Sequence, residues 1–117
     1  MTINFDEMKM IDVWNEIDRK LNSEPGPIEG MNTVYGFNLS GDDGGLFGLK
    51  IINGTAEAVA EYLGEVDCAL SMSVNDFKKL LAGNLNATAS YMMGKLKVKG
   101  SLGQALKLES LLKKYTF

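Results

Sequence analysis

Apolar residues recur at helical spacing near the start of the chain. Met10, Val13, Trp14, Ile17 and Leu21 fall on one face, with Asp12, Glu16, Asp18 and Arg19 off it. Asn4 as a cap, with Glu7 three residues on, sets the predicted helix at 4–22. Pro25 and Pro27 stop it, because neither can continue a helix. The period then changes to two. Tyr35, Phe37 and Leu39 alternate with Val34, Gly36 and Asn38, and Phe47, Leu49 and Ile51 repeat the pattern. Asp42-Asp43-Gly44-Gly45 separates these strands as a turn, and Asn53-Gly54 signals a tight hairpin after the second.

Residues 55–63 support two readings. Ala56, Val59, Ala60 and Leu63 fit a helix face, whereas Ala56, Ala58, Ala60 and Tyr62 alternate with Glu57 and Glu61 as a strand. Alternation returns at Cys68, Leu70 and Met72, so strands fall within 31–73. Helical spacing follows over 76–93 in two pieces. Phe77, Leu80 and Leu81 form the first, closed by Gly83, and Asn86 caps the second. Residues 95–99 read as a strand with Lys95, Lys97 and Lys99 on one face and Leu96 and Val98 on the other. A final helix is predicted over 102–115. No repeat or linker divides the chain, and 1–117 reads as a single domain.

Composition narrows the function classes. The 117 residues contain no histidine, which excludes imidazole metal sites and nucleophile–histidine catalysis. One cysteine, Cys68, excludes an internal disulfide and a four-cysteine zinc cluster. No apolar run reaches the ~18 residues of a membrane span, and the first residues lack the features of a signal peptide. The expectation is a reduced, cytoplasmic, soluble domain. Charge is uneven: residues 1–67 carry thirteen acids and four bases, whereas 68–117 carry two acids and eight bases. The basic half could face an anionic partner such as a phospholipid surface, or the halves could neutralise each other. The total is −3 and Arg19 is the only arginine able to read bases bidentately, so no nucleic-acid partner is expected.

Catalytic chemistry is thin. Asp42-Asp43 reads as a solvated turn, and Cys68 alternates with inward-facing residues and has no visible base. Phosphate-loop spacings are absent. The second half instead carries abundant apolar volume with several methionines, which suits either core packing or an adaptable apolar cavity.

Residues 67–108 carry an ordered set of motifs. The carrying residues are Asp67-Cys68, the Ser71-Met72 strand end, Asn75-Asp76-Phe77, Leu80-Leu81 and Gly83. They continue with Gly94-Lys95-Leu96-Lys97-Val98-Lys99-Gly100-Ser101-Leu102-Gly103-Gln104-Ala105-Leu106-Lys107-Leu108. Over these positions the chain resembles the sterol carrier protein type 2 domain family, and with looser agreement the resemblance extends over roughly 5–115. The chain departs from the family at Ala87-Thr88 and Ser90-Tyr91-Met92, where Pro-Gln and Ala-Phe-Phe are frequent. It departs again at Gln104, where an apolar residue is usual.

The resemblance implies an α+β fold: a five-stranded mixed sheet covered on one face by helices and enclosing a hydrophobic tunnel. Residues 55–63 would then supply the third strand. It also implies a lipid-binding and lipid-transfer protein without cofactor, metal or catalysis, and here a stand-alone member. The expected partner is a fatty acid, acyl-CoA or similar apolar ligand, with transient membrane contact left open. Met72, Phe77, Leu80, Leu81, Tyr91, Met92, Leu102 and Leu106 are the expected lining. The alternative is an accessory protein-interaction domain with the same fold and a filled tunnel.

Overall fold

The computed structural model describes residues 7–62 and 64–115. The chain runs through helix α1 (Met10–Ser23), a 3-10 turn at Gly26–Ile28, and strands β1 (Asn32–Ser40), β2 (Gly45–Ile52), β3 (Thr55–Ala60) and β4 (Cys68–Ser73). Helices α2 (Val74–Leu81) and α3 (Ala87–Met92), strand β5 (Lys97–Gly100) and helix α4 (Leu102–Leu112) complete it. The five strands form one sheet in the order β3-β2-β1-β4-β5. Only the β1–β4 pair is parallel, so the sheet is mixed and the fold is α+β.

Alternation sets the two faces of the sheet. Tyr35, Phe37 and Leu39 of β1 lie beside Cys68, Leu70 and Met72 of β4, and all six are buried. Phe47, Leu49 and Ile51 of β2 and Ala56 of β3 extend this core face, on which the helices pack. The Asn53-Gly54 turn has positive φ at both residues, 43° and 84°, as the tight hairpin signal requires.

Residues 55–60 are a strand, and tertiary contacts explain why the local tie resolves that way. Beyond its pairing with β2, β3 exchanges bonds with α1. The Asn22 side-chain amide donates to the Ala56 carbonyl at 2.8 Å and accepts from the Ala56 N–H at 2.9 Å. The Asp18 carboxylate accepts from the Ala58 N–H at 3.0 Å. Polar side chains of the helix thus satisfy the outer groups of an edge strand. Leu63 and Asn4 lie outside the described residues.

Element ends shift from the sequence reading for identifiable reasons. Helix α1 begins at Met10, later than expected, where the Asp43 carboxylate of the β1–β2 turn accepts from the Met10 N–H at 2.5 Å. Helix α2 begins at Val74 because Ser73 caps it, accepting from the Asp76 N–H at 3.0 Å. Strand β5 begins at Lys97 because the N–H groups of Lys95 and Leu96 both turn back to the Ser90 carbonyl. Helix α4 ends at Leu112, followed by i→i+3 turns. Tyr115 nevertheless stays buried and donates to the Glu24 carbonyl at 2.8 Å.

The opposite sheet face has a different construction. Gly36 and Gly48 are cross-strand neighbours, and Val66 and Tyr62 lie over them. A β-carbon at Gly36 would stand 2.9 Å from Val66, and one at Gly48 would stand 2.6 Å from the Tyr62 ring. Glycine is required there by close approach.

Candidate functional site

The layer between the sheet and the helices is dominated by aromatic rings. Trp14 of α1 stacks on Phe47 at 5.1 Å and on Phe77 of α2 at 5.3 Å, with interplanar angles of 11° and 15°. Phe37 of β1 meets Trp14 and Phe77 at tilted angles, at 5.2 and 5.4 Å. Such offset and edge contacts add stabilisation beyond area burial. Among the described residues the buried indole N–H of Trp14 has no hydrogen-bond partner, at a cost of about 1–3 kcal/mol.

Four of the expected lining residues join this layer: Met72, Phe77, Leu80 and Leu81 are all buried. Met72 points inward by the alternation of β4. The other three lie on the buried face of α2, which the Ser73 cap orients. Leu102 and Leu106 occupy successive turns of α4, half-buried against the same core. Tyr91 and Met92 are not brought into this group. They sit on α3 at 42% and 80% exposure, because the buried side of that short helix is taken by Ala87 and Ser90.

Surface clefts accompany the core among the described residues. One of about 390 Å³ is lined by Ser40, Ser71, Met72, Ser73, Asp76, Gly94, Lys95 and Lys97. It opens at the carboxyl ends of the parallel strands β1 and β4, beside the start of α2. Two ammonium groups and several hydroxyls set against one carboxylate give it a positive, hydrogen-bonding wall. A second, of about 260 Å³, includes Gly36, Leu46, Tyr62 and Val66 on the outer sheet face. A third, of about 290 Å³, lies between the 27–31 segment and the end of α4.

Titratable groups in the core are held neutral. Burial pushes the Tyr35 hydroxyl up to about 12, with Cys68 and Asp67 adding smaller repulsions. That hydroxyl donates to the Gln104 backbone carbonyl at 2.9 Å, and the Gln104 side-chain oxygen stands at 3.4 Å. Gln104, apolar in the pattern the chain resembles, therefore neighbours the polar tip of a buried tyrosine. Burial and the Asp67 charge also raise the Cys68 thiol, whose sulfur is 3.6 Å from the Ser101 carbonyl. A protonated, buried thiol is a poor nucleophile. Among the described residues no group of three histidine, cysteine, aspartate or glutamate side chains could hold a metal, and no helix is long and apolar enough to cross a membrane.

Sequence reasoning missed several positioning residues. Asp43 carries no local sign that it caps a helix far from it in the chain. Asp67 is legible only as part of a pattern. Its carboxylate accepts from the Val34 N–H at 2.7 Å, while its own N–H donates to the Val34 carbonyl at 2.8 Å. Glu109 of α4 accepts from the Ala87 N–H at 2.6 Å and so ties α3 to α4.

Comparison with known proteins agrees with this architecture. The solution structure of the sterol carrier protein domain 2 of Helicoverpa armigera superposes with a TM-score of 0.74 at 22% identity, covering 97% of this chain and 93% of that one. Apo sterol carrier protein 2 from Yarrowia lipolytica gives 0.70 at 26% identity, covering 89% of each. Hydroxysteroid dehydrogenase-like protein 2 of Bos taurus is 40% identical over 86 residues, which are 73% of this chain and 21% of that protein. The chain thus spans about a fifth of the length of the first curated relatives it matches. Residues 14–113, from the tryptophan at the centre of the aromatic layer to the end of α4, match the SCP-2 sterol transfer family, and the chain belongs to that family.

Proposed function

We propose that this chain is a non-catalytic lipid-binding domain. It takes up the apolar chain of a fatty acid, acyl-CoA or similar lipid between the sheet and helices α2 and α4, and works in the cytoplasm. Membership of the SCP-2 sterol transfer family over 14–113 carries the reading, since family and fold support lipid binding in general. Met72, Phe77, Leu80 and Leu81 would line the inner wall of the tunnel. Leu102 and Leu106, half-buried on α4, form the part of the wall that can part from its neighbours. Tyr91 and Met92 would meet the ligand on its approach, from the exposed side of α3. The unpaired Trp14 indole N–H supports the same reading: a lipid carbonyl or carboxylate reaching it would satisfy a buried donor.

Burying a dozen methylenes contributes about 10 kcal/mol at ~0.8 kcal/mol each. Association takes back at least ~4 kcal/mol, leaving a dissociation constant in the tens of micromolar without any strong polar contact. Native mass spectrometry of freshly purified protein, with solvent extraction of what it carries, tests the proposal. The expected result is an added mass that extracts as lipid. Palmitate should perturb the emission of Trp14, the only tryptophan. Leu106→Trp should block uptake of a fluorescent fatty acid while circular dichroism stays unchanged.

A second reading rests on the Trp14–Phe37–Phe47–Phe77 packing, which supports a filled interior and hence an accessory protein-interaction domain. A clean unliganded mass, with no thermal shift on adding fatty acids, would overturn lipid uptake in favour of that reading.

A further inference from the structure

Helix α3 ends in three consecutive exposed apolar residues: Tyr91 at 42%, Met92 at 80% and Met93 at 67% exposure. A run of that kind is unfavourable on a surface that only meets water. It is also one where flexible thioethers can enter a soft apolar phase. The backbone turns sharply there: the Gly94 N–H bonds the Tyr91 carbonyl, and Gly94 has φ 77°. The chain passes directly from Met93 into Gly94 and Lys95, which line the 390 Å³ cleft together with Lys97, Ser71, Ser73 and Ser40.

The charge around this tip is mostly positive, with Asp76 and Glu109 as the nearby carboxylates. Residues 77–108 contain six lysines and no aspartate or glutamate. Lys95, Lys97 and Lys99 are all exposed. Asp76 is the single carboxylate lining the cleft, against two ammonium groups.

We infer that the α3 tip is a membrane-docking surface for an anionic phospholipid bilayer. Tyr91, Met92 and Met93 enter the interfacial region. Lys95 and Lys97, with the serine hydroxyls beside them, hold a headgroup phosphate in the cleft. Apolar insertion and lysine attraction reinforce each other, as in other interfacial anchors whose binding needs two signals. The inference goes beyond lipid carriage, and vesicle sedimentation reads it separately from the lipid mass that tests carriage.

Co-sedimentation of the full chain with two kinds of vesicle tests it: equimolar phosphatidylcholine–phosphatidylglycerol, and phosphatidylcholine alone. The parent should sediment with the anionic vesicles and not with the neutral ones. Met92→Asp with Met93→Asp should abolish sedimentation, and circular dichroism should stay unchanged because both side chains are exposed. Lys95→Gln with Lys97→Gln should lower the partition coefficient about thirtyfold, as expected for two lysines lost from an anionic surface. Lys113→Gln with Lys114→Gln makes the same change in net charge elsewhere and should lower it far less. Three results would each overturn the inference: no sedimentation of the parent, equal sedimentation with neutral vesicles, or equal loss from both lysine pairs.

Discussion

Replacing Gly48 by alanine should change sign with the residue at 62. Gly48 lies in the middle of β2 in ordinary extended backbone, where alanine by itself would be stabilising by about 0.5–1 kcal/mol through reduced chain entropy. The new methyl carbon, however, would lie 2.6 Å from both Cγ and Cδ1 of Tyr62 and 2.9 Å from its Cβ. Carbon contacts rest near ~3.5–4.0 Å, so the ring must withdraw by about 1 Å. It cannot withdraw freely. The Tyr62 hydroxyl donates to the Glu65 carbonyl at 2.9 Å, and the Lys50 ammonium sits 5.0 Å above the ring. Overpacking of this kind costs about 1–3 kcal/mol, so Gly48→Ala alone should be destabilising by roughly 1–2 kcal/mol. In a Tyr62→Ala background the obstacle is gone, and the same change should be neutral or stabilising. Urea unfolding followed by Trp14 emission reads both, as a drop of up to about 1 M in midpoint at constant slope in the first case and none in the second. Equal losses in the two backgrounds would refute the close-approach argument and leave Gly48 unexplained.

Two further outcomes follow from the fold. Asn22→Asp keeps the acceptor for the Ala56 N–H but removes the donor to its carbonyl and adds a charge beside Asp18, so stability should fall by about 1–3 kcal/mol. Amide exchange at Ala56 and Ala58 should accelerate more than at the centre of β1, and uniform acceleration would argue against a local clamp. Tyr35→Phe tests the alkaline limb of stability. The folded hydroxyl is raised to about 12 from 10.0, so the neutral form is the one the fold favours. Its contribution is therefore complete below pH 10 and is lost as pH rises toward 12. The phenylalanine variant should lose stability less steeply than the parent across that window, and parallel curves would show that Tyr35 does not titrate with unfolding.

The sequence was informative where structure is local. The period-two runs at Tyr35–Leu39 and Phe47–Ile51 are core strands because their alternation states which face is buried. Asn86 is read as a cap from residue type and position, and it accepts from the N–H of Ala89 three residues on. It was uninformative where a partner is remote. Ala-Glu repeats at 55–60 could not reveal that Asn22 and Asp18 wait beside them. Asp43 in a glycine-rich turn looks solvated until helix α1 is present. Of the expected lining, the burial of Phe77, Leu80 and Leu81 was legible because helical apolar spacing is a core signature. Tyr91 and Met92 show the same residue chemistry, but α3 is only six residues long and turns its smaller side chains inward. Gly36 and Gly48 gave no signal, because a missing side chain does not name the residue that fills its place.

The Asp43 cap has a consequence for how the chain reaches this structure. Helix α1 takes the acceptor for its first turn from a residue 33 positions downstream, and its Asn22 contact spans 34. Both of its ends are therefore completed by segments that leave the ribosome well after the helix itself. A marginal helix of 14 residues gains these partners only after the β1–β2 turn and the β2–β3 hairpin have closed. Long-range closure of this kind slows folding, because chain entropy is lost before the contacts reward it. The hairpins are the natural early event, and α1 joins them as a late-docking element whose order reports that the sheet is already in place.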